Sequence, residues 1–215
     1  MSDRPRILVT GFSVFPGAPV NPTEKVIERL RGDAVWLARH GNIRLEVLPV
    51  EYGQIPGRLE ALGNEFAPDI AIHFGLSAKA EGFTLERLAR NEIAAGRPDN
   101  AGCLPELTQI VGGGGDIAAT LPVKAIQEAL VARNLPVSLS DDAGGYLCNY
   151  LFYHSCGQVC AGFAPDMAGF IHVPPLADGE APLNAMALQD LVAGATVIID
   201  TCSAAWLAER RAEMA

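Results

Sequence analysis

The chain has 215 residues, 49% of them hydrophobic, with a formal net charge of −9. That is enough apolar length to bury a sizeable core, and no Ser/Gly-rich linker divides it, so a single domain over residues 1–215 is expected. The acidic balance argues against nucleic acid or an anionic membrane as partner, since either would call for a concentrated basic patch, and no apolar run nears the ~20 residues that span a bilayer.

Arg6–Thr10 reads as the first strand, followed by the glycine loop Gly11–Gly17 and a helix that Asn21-Pro22 begins, with Val26, Ile27 and Leu30 as its buried stripe. A second strand is expected over Arg44–Glu51, a helix from about Gln54 to Phe66 and a third strand over Asp69–Gly75. This alternation of strand and helix indicates an α/β sheet. Phe83–Asn91 alternates apolar and polar residues as a strand does, and on that pattern alone Glu86, Arg87 and Arg90 are ordinary surface charge. Gly96–Asp116 is rich in glycine and proline and reads as loop; Gly112–Gly115 lacks the Gly-Lys-Ser/Thr of a phosphate loop, which leaves a mobile connection. Ile117, Leu121, Ile126, Leu130 and Val131 support a helix between Asp116 and Asn134, interrupted or delayed by Pro122. Leu183–Glu213 is apolar and mostly helical, with a break expected at the β-prone run Ala195–Ile199.

The stretch Ser140–Cys156 carries the most chemistry. Val137 and Leu139 finish a buried strand, Gly144 and Gly145 turn the chain, and Ala143, Leu147, Tyr150, Leu151 and His154 recur at helical spacing, with Asp141 or Asp142 as helix cap. Cys148 falls in the first helical turn, where unpaired backbone N–H groups and the helix dipole favour thiolate over thiol. A small apolar filler is the plain alternative for a lone cysteine. A nucleophile needs a histidine within hydrogen-bond reach and a third group to orient it.

Of the four histidines, His40 reads as a solvated helix end, His73 lies inside an apolar strand and suits a structural role, and His154 points away from the first helical turn. His172 stands near the end of Met167–Pro174, and in open α/β sheets catalytic residues gather at strand ends. The other thiols, Cys103, Cys156, Cys160 and Cys202, read as structural or incidental, and Cys156–Cys160 has no second Cys/His pair to complete a zinc site, so no metal is expected. Five cysteines without framework spacing, and a start Met-Ser-Asp-Arg-Pro-Arg without a cleavable signal pattern, point to the cytoplasm.

Ala143-Gly-Gly-Tyr-Leu-Cys-Asn149 and Gly169-Phe-Ile-His-Val-Pro174 resemble the cysteine and histidine motifs of the pyroglutamyl peptidase I, or pyrrolidone-carboxylate peptidase, family. The resemblance continues, in order, through Ile7-Leu-Val-Thr-Gly-Phe12 with Phe15 and Asn21-Pro22, Thr84-Leu-Glu-Arg-Leu-Ala-Arg-Asn91, Pro98-Asp-Asn100 and Thr120-Leu-Pro-Val123. It implies a three-layer α/β/α sandwich around a twisted, mixed, mostly parallel sheet of the phosphorylase/hydrolase kind. It also implies Cys148 as nucleophile, His172 as base, and Glu86 of the Leu-Glu-Arg motif as the acid that orients the base. Phe12, Phe15, Asn21, Tyr146 and Leu147 would surround the five-membered lactam of the substrate. The implied activity is removal of an N-terminal pyroglutamyl residue from peptides or small amides, without a cofactor, by a homotetramer. Two positions depart from the family pattern: Gly96-Arg97 stands where the family has Arg-Ile before Pro-Asp-Asn, and Leu76 where a glutamine commonly follows the glycine. A thiol amidase with another small acyl substrate and a catalytically silent binding homologue are the alternatives; turnover of a pyroglutamyl amide and the reactivity of Cys148 separate them.

Overall fold

The structure, a computed structural model, describes residues 4–94, 96–179 and 181–213. Residues 1–3, part of the stretch read for a signal pattern, and 214–215, the far end of the expected domain, lie outside the described residues. Six strands form one sheet: β1 (Ile7–Phe12), β2 (Ile43–Leu48), β3 (Ile70–Leu76), β4 (Phe83–Glu86), β7 (Val137–Ser140) and β8 (Met167–Val173). A two-stranded ribbon pairs β5 (Leu88–Ala89) with β6 (Ile117–Ala118). The order across the sheet is β2-β1-β3-β8-β4-β7. The first four run parallel, β4 is antiparallel to β8, and β7 is parallel to β4.

Strand periodicity assigns the two faces. Ile7 and Val9, Ile70 and Ile72, and Met167 and Ile171 join one core with α1 (Pro22–Arg31), α4 (Val123–Val131) and α6 (Leu188–Glu213). Leu8 and Phe12, Ala71, and Ala168 and Phe170 join the other with α3 (Ile55–Phe66) and α5 (Leu147–Cys156). Strands covered by helices on both faces are buried almost throughout and largely apolar, which is why β1, β3 and β8 read as near-continuous apolar runs broken only by Thr10, His73 and His172. The expected three-layer α/β/α arrangement follows.

Several expectations are corrected. Phe83–Asn91 is not one strand: it divides at Arg87 into β4 and β5. The helix expected from Asp116 starts only at Val123, because Pro122 ends the extended segment before it, and Ile117 belongs to a strand. β7 is not buried: it is the sheet's edge, with Ser138 and Leu139 exposed. Helix α6 has no break at Ala195–Ile199, because Leu191, Ala195, Ile198, Ile199 and Cys202 form one buried stripe whose packing outweighs the β preference of the run. By length and composition α6 could cross a membrane, contrary to the sequence expectation, but here that stripe faces the sheet. His40, at the end of α2 (Ala34–His40), is not solvated; it stacks on Trp36 with ring centroids 3.9 Å apart and meets Asp200 at 3.0 Å. The connection around Gly112–Gly115, expected to be mobile, is pinned: Asn91 accepts the N–H of Ile110 and Val111 and donates to the carbonyls of Val111 and Gly114, while the Tyr153 hydroxyl donates to the Gly115 carbonyl.

Candidate active site

Three adjacent strands bring the site's parts into line. In register, Gly75 of β3 lies beside His172 of β8, which lies beside Thr84 of β4. Phe83 and Leu85 point to the core beneath α6, so the alternate residue Glu86 points to the α5 side, as His172 does two residues after Phe170. Position 75 has to be glycine: a Cβ there would lie 2.9 Å from the Cys148 Sγ and 2.6 Å from the Phe170 ring. Its absence lets the entrance of α5 settle against the sheet.

The helix entrance is built without a side-chain cap. Tyr146 is the N-cap residue and makes no capping hydrogen bond, so the first backbone N–H groups of α5 keep their donors free toward the cleft. Asp141 and Asp142 do not cap it, contrary to expectation: Asp141 is paired with Arg87, and Asp142 Oδ1 accepts the Gly144 N–H at 3.0 Å. Gly144 takes a φ of +74°, and Gly145 meets Ala94 so closely that a Cβ would lie 2.5 Å from it. Asn149, fully buried, then fastens the helix. Its Oδ1 accepts the Arg90 N–H at 2.9 Å, and its Nδ2 donates to the carbonyls of Arg90 and Glu92 at 2.8 and 3.0 Å. The sequence offered no signal for this tether beyond an amide next to the thiol.

His172 is 7% exposed and Glu86 2% exposed, and His172 Nδ1 lies 2.8 Å from Glu86 Oε1. Nδ1 engaged in this way leaves Nε2 for Cys148. Burial alone would lower the imidazole's pKa, but its hydrogen bond with Cys148 and that sulfur's charge, then the same two effects from Glu86, outweigh burial and raise it above its ordinary value. The other buried histidines go the opposite way. Burial lowers His73 to about 3 and His154 to about 4. His73 is held between Thr10 and Ser155, 2.8 Å from each. Among the thiols, burial raises Cys156 to about 12 and Cys160 to about 11, and also raises Cys202, while Cys103 is exposed and does not line the cleft. Cys148 is the half-buried thiol that faces a cleft.

That cleft has a volume of about 680 Å³ and contains Cys148, His172 and Glu86 together with Phe12, Phe15, Asn21, Tyr146 and Leu147. Phe12 and Leu147 are nearly fully buried and form the floor. Asn21 differs from its neighbours: its Oδ1 accepts from the Thr23 N–H and hydroxyl and its Nδ2 donates to Ser13, so it holds the Phe12–Phe15 loop and caps α1. Leu76 and Arg97, the two departures from the family pattern, also line the cleft. Among the described residues no group of three or more His, Cys, Asp or Glu side chains could hold a metal ion.

Comparison with known proteins gives matches over nearly the whole chain. The family model described as pyroglutamyl peptidase matches residues 5–205. The pyrrolidone-carboxylate peptidase of Pyrococcus furiosus is 41% identical over 170 residues, 79% of this chain and 80% of that protein. Pyrrolidone-carboxylate peptidase 1 of Ralstonia nicotianae is 35% identical over 201 residues, 92% of each chain. The crystal structure of the pyrrolidone carboxyl peptidase from P. furiosus superimposes with a TM-score of 0.80 at 36% identity, covering 91% of this chain and 97% of that one. With the family model, the relatives and the fold in agreement, the chain belongs to the pyroglutamyl peptidase family.

Proposed function

We propose that the protein hydrolyses the amide bond after an N-terminal pyroglutamyl residue through Cys148, His172 and Glu86, by way of a thioester. The observation that carries this is the Glu86–His172 contact of 2.8 Å, with the ring turned to the Cys148 thiol in a cleft walled by Phe12, Phe15 and Tyr146. A cyclised N-terminus is a neutral lactam and offers no ammonium to anchor, so its pocket works by shape, apolar walls and a few amide-matching hydrogen bonds. Cys148 attacks the scissile carbonyl after passing its proton to His172, and the uncapped N–H groups at the start of α5 receive the oxyanion. His172 then protonates the leaving amine, Glu86 keeping the ring in the tautomer and orientation that this requires. Water, deprotonated by the same ring, hydrolyses the thioester and restores the thiol.

Turnover of a chromogenic pyroglutamyl amide tests the reading. Cys148→Ser and His172→Ala should each lower kcat by at least about 10³-fold, while His40→Ala and His154→Ala leave it within a few-fold. Substantial activity in Cys148→Ser, or alkylation of Cys148 itself by iodoacetamide without loss of turnover, would remove the sulfur from the mechanism.

A further inference from the structure

Arg97 occupies an unusual place for a cation. Its guanidinium lies 4.3 Å from the centroid of the Tyr146 ring and 5.2 Å from that of Phe15, and its side chain lines the same cleft as Cys148. Two aromatic faces hold it by cation–π attraction and fix its plane, so little freedom remains to be lost when it binds something else. It makes no ion pair with any described carboxylate, although the chain is acidic overall. The nearest acid in sequence, Asp99, is turned to backbone N–H groups of Tyr52, Ala101 and Cys103 at 2.8, 2.9 and 2.8 Å. A guanidinium has five N–H donors and no acceptor, and its fork matches a carboxylate. Phe15 and Tyr146 are the walls assigned above to the acyl end, so what Arg97 meets is the acyl group rather than the leaving amine.

We propose that Arg97 gives this enzyme a second acyl specificity: it accepts amides of open-chain five-carbon acids that end in a carboxylate, of the glutaryl type, alongside the pyroglutamyl lactam. This deepens the function proposed above by assigning the acceptor-binding group of the same pocket. A glutaryl group carries the same five carbons between scissile carbonyl and far carbonyl as the lactam does. It lacks the ring nitrogen and presents a carboxylate where the lactam has a neutral C=O. The lactam oxygen takes a single hydrogen bond from the fork, and the carboxylate takes both prongs with full charge. The chemistry otherwise repeats: the Cys148–acyl bond forms as the C–N bond breaks, the thiol proton leaves on the amine through His172, and one water releases the dicarboxylic acid and returns the proton to sulfur. No oxidant, metal or co-reactant enters the balance.

The test compares glutaryl and pyroglutamyl 4-nitroanilides on the purified protein and on Arg97→Leu and Arg97→Lys. Wild type should turn over both, with both activities lost after iodoacetamide. Arg97→Leu should lower the glutaryl-to-pyroglutamyl ratio of kcat/KM by on the order of 10- to 100-fold, and Arg97→Lys should recover part of it. Because the readout is a ratio on one preparation, partial misfolding of a variant cancels. A ratio that Arg97→Leu leaves unmoved, or wild-type turnover of the pyroglutamyl substrate alone, overturns the proposal. Turnover of the glutaryl substrate alone would instead sink the pyroglutamyl reading and keep only the carboxylate-binding role of Arg97, and inertness toward both would sink the two together.

Discussion

All four histidines lie against carboxylate, hydroxyl or sulfur partners, and those of His172 decide how rate depends on pH. His172 is raised by Cys148 and Glu86 against the pull of burial, so its imidazolium, the proposed acid for the leaving amine, persists above the ordinary histidine value of about 6.5. The alkaline limb of kcat/KM should therefore lie above that value. Removing the charge with Glu86→Gln removes one raising influence, so the limb moves to lower pH, and kcat falls on the order of 10- to 10³-fold; a thiol needs less help than a serine hydroxyl, for which the equivalent change costs ~10⁴. A pH–rate profile unmoved by Glu86→Gln would leave Cys148 and His172 as a dyad. His73 contributes to stability in the opposite sense. Its folded pKa is depressed to about 3, so between that value and ~6.5 the unfolded chain binds the extra proton, and stability falls as pH falls through this window. Between pH 7 and pH 5, before the depressed carboxylates of Glu46 and Asp69 begin to titrate, His73 should cost about 2 kcal/mol. Urea midpoints at the two pH values, compared with those of a His73→Asn variant, measure it.

Where elements meet, two small features hold the thiol at its post. Gly75→Ala places a methyl 2.9 Å from the Cys148 Sγ and 2.6 Å from the Phe170 ring, and strand and helix cannot both stay where they are. The expected outcome is loss of ~10²-fold or more in kcat with only about 1–3 kcal/mol of stability, read by turnover and by denaturant unfolding of the same preparation. Asn149→Ala strands one part-buried N–H and two carbonyls on the segment after β5, which should cost roughly 1–3 kcal/mol. At this scale the sequence was legible where a single physical cause acts. β1, β3 and β8 are largely apolar because both faces are covered, and the Gly144-Gly145 turn before Cys148 follows from backbone freedom alone. It was opaque where tertiary neighbours override the local pattern. Ala195–Ile199 prefers a strand yet supplies the buried face of α6, and Val137 and Leu139 look buried but lie on an edge. Glu86 was indistinguishable from surface charge by alternation, since its burial depends on β8 pairing beside β4; the family motif, not periodicity, pointed to it. Cys148 and His172 were legible from helix and strand position, whereas the Gly75 and Asn149 supports leave no trace in spacing.

At the scale of the whole molecule, the family likeness leads us to expect a homotetramer, and the exposed Val14, Val20, Leu104 and Leu107, on loops joined by the Asn100–Val14 hydrogen bond, are surface that association would cover. Light scattering coupled to size exclusion should give four times the chain mass; a monomer would withdraw the expectation. The strand order has a further consequence, for the timing of folding. β8 inserts between β3 and β4, which are neighbours in sequence but not in space. Until residue 173 has joined, the sheet exists only as two pieces, β2-β1-β3 and β4-β7, each with an open edge facing the other. Such late, non-local pairing is slow, and unpaired edges are where intermediates aggregate. In refolding from urea, amide turnover should therefore recover with the slowest phase of tryptophan fluorescence and not before it. A chain still being synthesised carries Cys148 and Glu86 before His172, so on the proposed mechanism hydrolysis begins only when the final central strand closes the gap.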